Sequence, residues 1–160
     1  GMVQGGKGKM TDAGTHVPFI ASWPGKIAPG ATVEDPVDFA DVLPTMAEAT
    51  GAKVPEGVDG VSILPLMFGD SSKARGWIFM SYSRDGLKKA PFRCFVRDQR
   101  WKLYADGQLF DVDNDVLEEH PAIGAEADRA RDRLKARLAP LMREVDEAAT
   151  VSGRAGGNES

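Results

Sequence analysis

A lysine set among glycines is the first feature of the chain that could bind a ligand. Residues 5–9 read Gly-Gly-Lys-Gly-Lys, a composition shared with phosphate-binding loops. Those loops require Gly-x-x-x-x-Gly-Lys-Ser/Thr after a strand, whereas Lys9 is followed by Met10. A phosphate loop is therefore excluded, and on composition alone Lys7 is an ordinary solvated lysine.

An acidic stretch is a second candidate, this time for a metal ion. Residues 111–115 read Asp-Val-Asp-Asn-Asp, which is similar to the opening of a calcium-binding loop. Such a loop needs glycine at its sixth position and glutamate at its twelfth, and these positions are Val116 and Ala122. The segment is therefore predicted to be a solvated turn.

The sequence contains two histidines and one cysteine. His16 could donate a hydrogen bond to a substrate or could be a strand-edge residue without a role, and both interpretations stay open. His120 is expected in a surface loop. Cys94 lies beside Phe95 on a predicted strand, where a small core residue is the expected role, and a single cysteine excludes an internal disulfide.

Apolar spacing and turn residues predict the elements of the first half. Residues 17–23 form a nearly continuous apolar run that is typical of a strand covered on both faces. A helix capped by Asp38 or Asp41 is expected to end at Gly51, and a further helical turn is expected at 62–68. The predicted apolar side of the first helix comprises Val42, Leu43, Met46, Ala47 and Ala49.

The second half has the pattern of an antiparallel meander followed by a helix. Asp106 and Gly107 favour the positive φ values of a hairpin turn. Apolar residues at steps of three and four then predict a helix over residues 125–149, which Pro140 should kink or divide. The predicted strands are residues 77–82, 92–98, 101–105 and 108–112.

Composition restricts the classes of partner. The 160 residues are 42% apolar and 28% charged, with a formal net charge of -4, which is the balance of a globular protein. Acidic and basic residues are interleaved, whereas a nucleic-acid partner would require a basic face. No apolar run approaches the ~20 residues of a transmembrane helix. We therefore expect neither a nucleic-acid partner nor membrane insertion.

Several short motifs, taken in order, resemble the type I sulfatases of the alkaline-phosphatase superfamily. They are Gly-Lys-Gly at 6–8, Thr-Asp-Ala-Gly at 11–14, His-Val-Pro at 16–18, Trp-Pro-Gly at 23–25, Asp-Val-Leu-Pro-Thr at 41–45, Asp-Gly-Val-Ser at 59–62, Arg-x-x-x-Trp-Lys at 97–102 and Leu-Phe-Asp-Val at 109–112. Each motif alone is a weak signal, whereas their common order over most of residues 5–120 argues against coincidence.

The resemblance implies that Lys7 contacts the sulfate group, because the lysine of the family's Gly-Lys-Gly motif has that role. An ammonium with three donors can hold an anionic oxygen, and flanking glycines let the backbone approach a tetrahedral anion closely. His16 stands where the family carries arginine, and it is the second sulfate-binding candidate. Asp12 and Ala13 also depart from the family's Glu-Gly pattern.

The resemblance also implies chemistry for which this chain carries no residues. The family uses a formylglycine made in a Cys/Ser-x-Pro/Ala-x-Arg motif and a divalent cation, usually calcium. Residues 93–97 read Arg-Cys-Phe-Val-Arg and do not fit that motif, and the family's metal ligands would precede Met2. We therefore assign no catalytic residue, metal or cofactor to this chain and expect formylglycine and calcium only in a full-length parent.

The fold implied is α/β for the family and α+β for this chain. Residues 1–72 are expected to be a remnant of the sulfatase core with the Lys7 loop, and residues 73–150 a small antiparallel sheet packed with a C-terminal helix. Residues 151–160 are expected to be a flexible tail. A core strand at 17–23 would have open edges, which favours a homo-oligomer.

Three functions are consistent with these observations. The first is a C-terminal fragment of a sulfatase, a sulfuric ester hydrolase with a small sulfated substrate, inactive by itself. The second is a non-catalytic binding or accessory module. The third is a fragment of a related phosphate or phosphonate ester hydrolase, because such enzymes share the scaffold. The resemblance implies a periplasmic or secreted location.

Overall fold

The chain divides into two compact units. In a computed structural model that describes residues 6–83 and 93–155, one unit is Pro18–Ile78 and the other combines Gly1–Val17 with Phe79–Ser160. The sequence-based boundary at residue 72 lies near the second division. The first segment, however, groups with the sheet rather than with the rest of residues 1–72, since Lys102 of the sheet donates hydrogen bonds to Met10 and Asp12.

From residue 38 onward, the main elements follow the predicted order. The helices are α1 (Asp12–Thr15), α2 (Val42–Thr50), α3 (Leu64–Met67) and α4 (Ala125–Ala155), and a short 3-10 turn covers Phe39–Asp41. The strands are β1 (Ile78–Tyr82), β2 (Arg93–Arg97), β3 (Trp101–Tyr104) and β4 (Leu109–Asp111). Mixed helices with one small antiparallel sheet confirm the predicted α+β architecture.

Helix α2 begins and ends where its capping residues predict. The Asp38 side chain accepts a hydrogen bond from the Ala40 N–H at the start of the 3-10 turn that leads into α2. Gly51 ends α2 in the left-handed region, with φ of 74°. Glycine suits this position because a Cβ disfavours that conformation.

The buried side of α2 differs from the predicted one. Leu43 and Met46 are 52% and 59% exposed, whereas Pro44, Thr45 and Ala47 are buried. Thr45 turns inward because its hydroxyl donates to the Asp41 carbonyl oxygen at 2.6 Å and accepts the Ile63 N–H at 2.9 Å. The hydrogen bonds of Thr45 therefore determine which side of α2 is buried, and the spacing of apolar residues does not predict it.

The predicted strand at residues 17–23 is wrong. The segment has no strand assignment, and the side chain of Ile20 is 90% exposed. A strand requires a neighbouring backbone to pair its N–H and C=O groups. Among the described residues, the four strands pair in one sheet in the order β1-β2-β3-β4, so none of them supplies that neighbour.

The antiparallel meander is confirmed. β2 pairs with β3 and β3 with β4, so that Val96 faces Leu103 and Leu103 faces Leu109. The Tyr104 N–H donates to the Gln108 carbonyl oxygen at 2.9 Å. Gly107 takes a φ of 89° in the turn between them, as the Asp-Gly pair predicts.

The long helix packs on this sheet and is not divided. α4 contacts β2 and β3, and its buried side chains are Ala127, Ala130, Leu134 and Leu138. Pro140 lies inside the continuous helix, two residues past buried Leu138, so the helix continues although proline cannot donate the backbone hydrogen bond of that turn. Residues 151–155, predicted as tail, continue the helix, and 156–160 lie outside the described residues.

The two faces of the sheet have different partners because side chains alternate along a strand. Val96, Leu103 and Leu109 share one face, and all three are buried. Phe95 and Lys102 lie on the opposite face, where the Lys102 ammonium sits 4.3 Å from the Phe95 ring centroid. This second face is the base on which residues 6–16 rest.

Candidate anion-binding site

The loop that carries Lys7 is tightly folded. Lys7 is exposed in a turn that is closed by the Lys9 N–H donating to the Gly6 carbonyl oxygen at 2.7 Å. A Cβ on Gly14 would lie 2.3 Å from the Lys9 carbonyl oxygen and 2.4 Å from that of Gly6. Only glycine permits this approach, so the loop presents an exposed ammonium on a compact backbone.

His16 closes the other end of the same segment. Its N–H donates to the Asp12 carbonyl oxygen at 2.8 Å at the end of α1, and its ring Nδ1 lies 3.7 Å from Asp12 Oδ2. The side chain is 76% exposed. The observed ring contact of His16 is therefore with Asp12, and its proposed role in binding an anion stays a prediction.

A buried lysine anchors the loop to the sheet. Lys102 Nζ donates to the Met10 carbonyl oxygen at 2.7 Å, to Asp12 Oδ1 at 3.1 Å and to Glu118 Oε1 at 2.9 Å. None of the Lys102 side chain is exposed. An ammonium has three protons, and the three acceptors use them all, so the charge is buried with its hydrogen bonds complete.

Arg97 supplies a second cation to Asp12. Its Nη1 lies 3.1 and 2.9 Å from the two carboxylate oxygens of Asp12, and its Nη2 donates to the Gln99 carbonyl oxygen at 2.9 Å. Two cations, Lys102 and Arg97, thus meet two carboxylates, Asp12 and Glu118. A buried cluster of this kind is tolerated because its charges are paired.

Glu118 completes the cluster from the loop after β4. Its Oε1 accepts the Asp12 N–H at 2.8 Å, and its Oε2 is hydrogen-bonded to the Tyr104 hydroxyl. Burial, together with this carboxylate, raises the pKa of the Tyr104 phenol well above its usual range. The phenol therefore stays protonated and acts as a hydrogen-bond donor.

An open cavity of about 470 Å³ lies beside the loop. Its walls include Lys9 and Thr11 from the loop and Tyr104, Gln108 and Phe110 from the sheet. Aromatic rings next to amide and charged groups suit an organic molecule with polar substituents. The volume lies within the range of small-ligand pockets, roughly 300–1,000 Å³.

The single cysteine forms part of this wall but is shielded. Cys94 is 3% exposed, and burial, reinforced by the charge of Asp146, raises the pKa of its thiol. A protonated, buried thiol is a poor nucleophile and a poor metal ligand. The interpretation of Cys94 as a small core residue fits this environment.

The carboxylates of the acidic turn at residues 111–115 accept hydrogen bonds from protein groups. Asp111 Oδ2 accepts from Arg100 Nη2 at 2.8 Å, and Asp115 Oδ2 accepts the His120 N–H at 2.8 Å. Within residues 6–83 and 93–155, no group of three His, Cys, Asp or Glu side chains converges as metal ligands. The calcium implied by the resemblance has no ligand set among these residues.

Sequence reasoning missed the cluster beneath the loop. In the sequence, Lys102 stands out only as part of an Arg-x-x-x-Trp-Lys motif, although a lysine inside a strand between Trp101 and Leu103 is itself a signal of a buried charge. Glu118 gave no signal, because its partner Asp12 is 106 residues away. Pairings over such separations are not visible in local patterns.

The whole site lies within one matched family region. The model of the family described as N-sulphoglucosamine sulphohydrolase, C-terminal, matches residues 6–145. An ulvan-active sulfatase of Formosa agariphila is 33% identical over 121 residues, which cover 74% of this chain and 24% of that protein. The steryl-sulfatase of Rattus norvegicus is 32% identical over 113 residues, which cover 69% of this chain and 20% of that protein. The chain thus spans about a quarter or less of these relatives.

Solved structures agree on the fold. A protein in complex with its substrate D-glucosamine-2-N,6-O-disulfate has a TM-score of 0.52 at 20% identity, covering 67% of this chain and 24% of that one. A phosphonate monoester hydrolase from Silicibacter pomeroyi has a TM-score of 0.52 at 27% identity, covering 74% and 26%. Together with the family match, these similarities show that the chain belongs to the sulfatase family of the alkaline-phosphatase superfamily, as a C-terminal part of such a protein.

Proposed function

We propose that this chain supplies the anion-holding lysine of a sulfatase that hydrolyses sulfate esters, and that Lys7 contacts the sulfate. The observation that carries the proposal is the loop itself: an exposed ammonium on a backbone fixed by Gly6 and Gly14. The family match over residues 6–145 supports it.

The chemistry of Lys7 follows from its charge. An ammonium can donate hydrogen bonds to sulfate oxygens and stabilise negative charge that builds on the ester oxygen as the sulfur–oxygen bond breaks. The nearby cavity, lined in part by Lys9 and Phe110, has room for the organic group that the sulfate leaves behind. His16 is proposed as a second, exposed donor at the same loop.

Removing the Lys7 ammonium is expected to weaken sulfate binding roughly tenfold, because a hydrogen bond to a charged group contributes about 1.5 kcal/mol or more. The measurement is an NMR titration of the 160-residue protein with sodium sulfate at constant ionic strength, following the amides of residues 6–16. Lys7→Ala is compared with Lys9→Ala, which removes the same charge from the same loop. Equal losses in the two variants would show a general charge effect and contradict the assignment.

The chain alone is expected to turn over no aryl sulfate. The formylglycine motif is absent from its sequence, so no nucleophile is available to attack sulfur. Purified protein is incubated with p-nitrophenyl sulfate and calcium, and release of the phenol is followed by absorbance. Turnover that disappears in Lys7→Ala would prove that catalytic residues lie within these 160 positions and would overturn this expectation.

A phosphonate or phosphate ester is the alternative substrate class. The 27% identity to a phosphonate monoester hydrolase favours it, and the tetrahedral anions of both classes can use the same lysine. Repeating the titration with phenyl phosphonate in place of sulfate distinguishes them, because the preferred anion shifts the Lys7 loop at lower concentration. An accessory role without catalysis is consistent with the same loop.

Location and assembly are further proposals. A periplasmic or secreted site is proposed from the family resemblance. Among the described residues no helix has the length and hydropathy of a membrane span. Self-association is proposed on exposed apolar side chains, since Phe19 and Ile20 are 51% and 90% exposed, and not on the edge of a strand.

A further inference from the structure

The segment that follows Lys7 is attached to the sheet through the buried charge cluster, in which Arg97 also binds Asp12 and Lys102 makes three hydrogen bonds. Two of the three acceptors of the Lys102 ammonium, the Met10 carbonyl and Asp12 Oδ1, belong to the segment that follows Lys7. The third acceptor is Glu118 Oε1, which also accepts the Asp12 N–H. Lys102 and Glu118 therefore hold the same short stretch, residues 10–12, from two sides.

Stability alone does not account for a lysine in this place. Well-packed apolar residues often replace a whole buried ion pair without loss of stability, whereas removing one member alone leaves an unpaired charge. The neighbours of Lys102 on its face include the Phe95 and Tyr104 rings. An apolar side chain would pack against those rings. What an apolar side chain lacks is the directional bonding that fixes the Met10 carbonyl and Asp12.

The backbone conformation of Glu118 also indicates that its carboxylate is held in a specific position. Its φ is 56°, the only positive value at a non-glycine residue in the described part of the chain. A non-glycine residue in this region is uncommon and is kept only where its surroundings demand it. Here the conformation delivers a carboxylate that is 1% exposed to the Asp12 N–H, to Lys102 and to Tyr104.

We propose that Lys102 and Glu118 are positioning residues for anion binding at Lys7. They hold residues 10–12 on the sheet, so that the loop is ordered before an anion arrives. Binding to a loop that is only partly in its competent form is weakened by the fraction that is competent. This inference rests on the proposed role of Lys7, and it adds the residues that make that role effective without touching the anion.

The test uses the full 160-residue protein and two readouts. Lys102→Met removes the charge at similar length, and Lys135→Met makes the same change at an exposed position on α4. Hydrogen exchange is measured at the amides of residues 9–16 and at Val96 and Leu103 in the sheet. Sulfate affinity is measured by the NMR titration described above.

The expected result is local. In Lys102→Met, exchange at residues 9–16 accelerates at least tenfold while the sheet amides change less, and sulfate affinity falls by the factor by which the ordered fraction of the loop falls. The double variant Lys102→Met/Glu118→Gln, which leaves no unpaired charge, restores overall stability but not loop protection. Lys135→Met changes neither readout.

Two results would overturn the proposal. One is unchanged exchange and affinity in both Lys102 variants. The other is equal acceleration at the loop and at the sheet in both, which would make Lys102 a general stabilising residue. If Lys7→Ala leaves sulfate binding intact while the Lys102 variants still loosen residues 9–16, the anion site has failed and the anchoring of the loop stands.

Discussion

Replacing Asp41 with asparagine is expected to lower the free energy of unfolding of the 18–78 unit by about 3–5 kcal/mol, because it breaks a buried charge pair. Asp41 is 0% exposed. Its Oδ1 accepts the Val61 N–H at 2.8 Å and Arg75 Nη2 at 2.5 Å, and its Oδ2 accepts the Asp38 N–H at 2.9 Å. Both oxygens face donors, so the amide group of asparagine meets an N–H in either orientation.

Urea unfolding is monitored through hydrogen exchange of the Val61 and Ile63 amides. These N–H groups donate to Asp41 and to Thr45. Glu48→Gln is the matched control, since Glu48 is an exposed acid on α2, the helix that follows Asp41, and surface changes usually stay within about 0.5 kcal/mol. A loss for Asp41→Asn no larger than that of the control would show that the charge pair contributes little to this unit.

Leu134→Ala is expected to destabilise the sheet unit by about 2–5 kcal/mol, through lost burial and the cavity left behind. Leu134 is 2% exposed on the side of α4 that packs against β2 and β3. Thermal unfolding monitored by the NMR signal of the Trp101 indole N–H reports on this unit, because Trp101 is buried in it.

Lys135→Ala is the control for this experiment, because it truncates the next residue of α4 on its exposed side. It should leave the midpoint nearly unchanged, since alanine also favours the helix. If the two variants shifted the midpoint equally, the contribution of α4 would come from helix propensity and not from packing on the sheet.

Local sequence patterns predicted most of the elements. Alternation and an Asp-Gly pair gave the hairpin in which Gly107 has a φ of 89°, and Gly51 marked the end of α2 with a φ of 74°. These features depend on residues within a few positions of one another. The turn and capping chemistry of such short segments is written directly in their side chains.

Local sequence patterns did not predict the structure where strand formation or burial depends on a second segment. The apolar run at residues 17–23 has the composition of a buried strand, but its side chains are largely exposed, with Ile20 at 90%. Burial and strand pairing both require a second segment that covers or pairs with the first, and the sequence of the first segment does not specify that partner. For the same reason Leu43 and Met46 of α2 proved exposed.

The sequence by itself determined the family, the order of helices and strands in the sheet region, and Lys7 as the candidate for anion binding. Only the tertiary structure decided what holds Lys7 in place, by bringing Asp12, Lys102 and Glu118 within hydrogen-bond distance. The reason is physical: propensity and periodicity act over a few residues, whereas a buried ion cluster forms between groups that only the folded chain brings together.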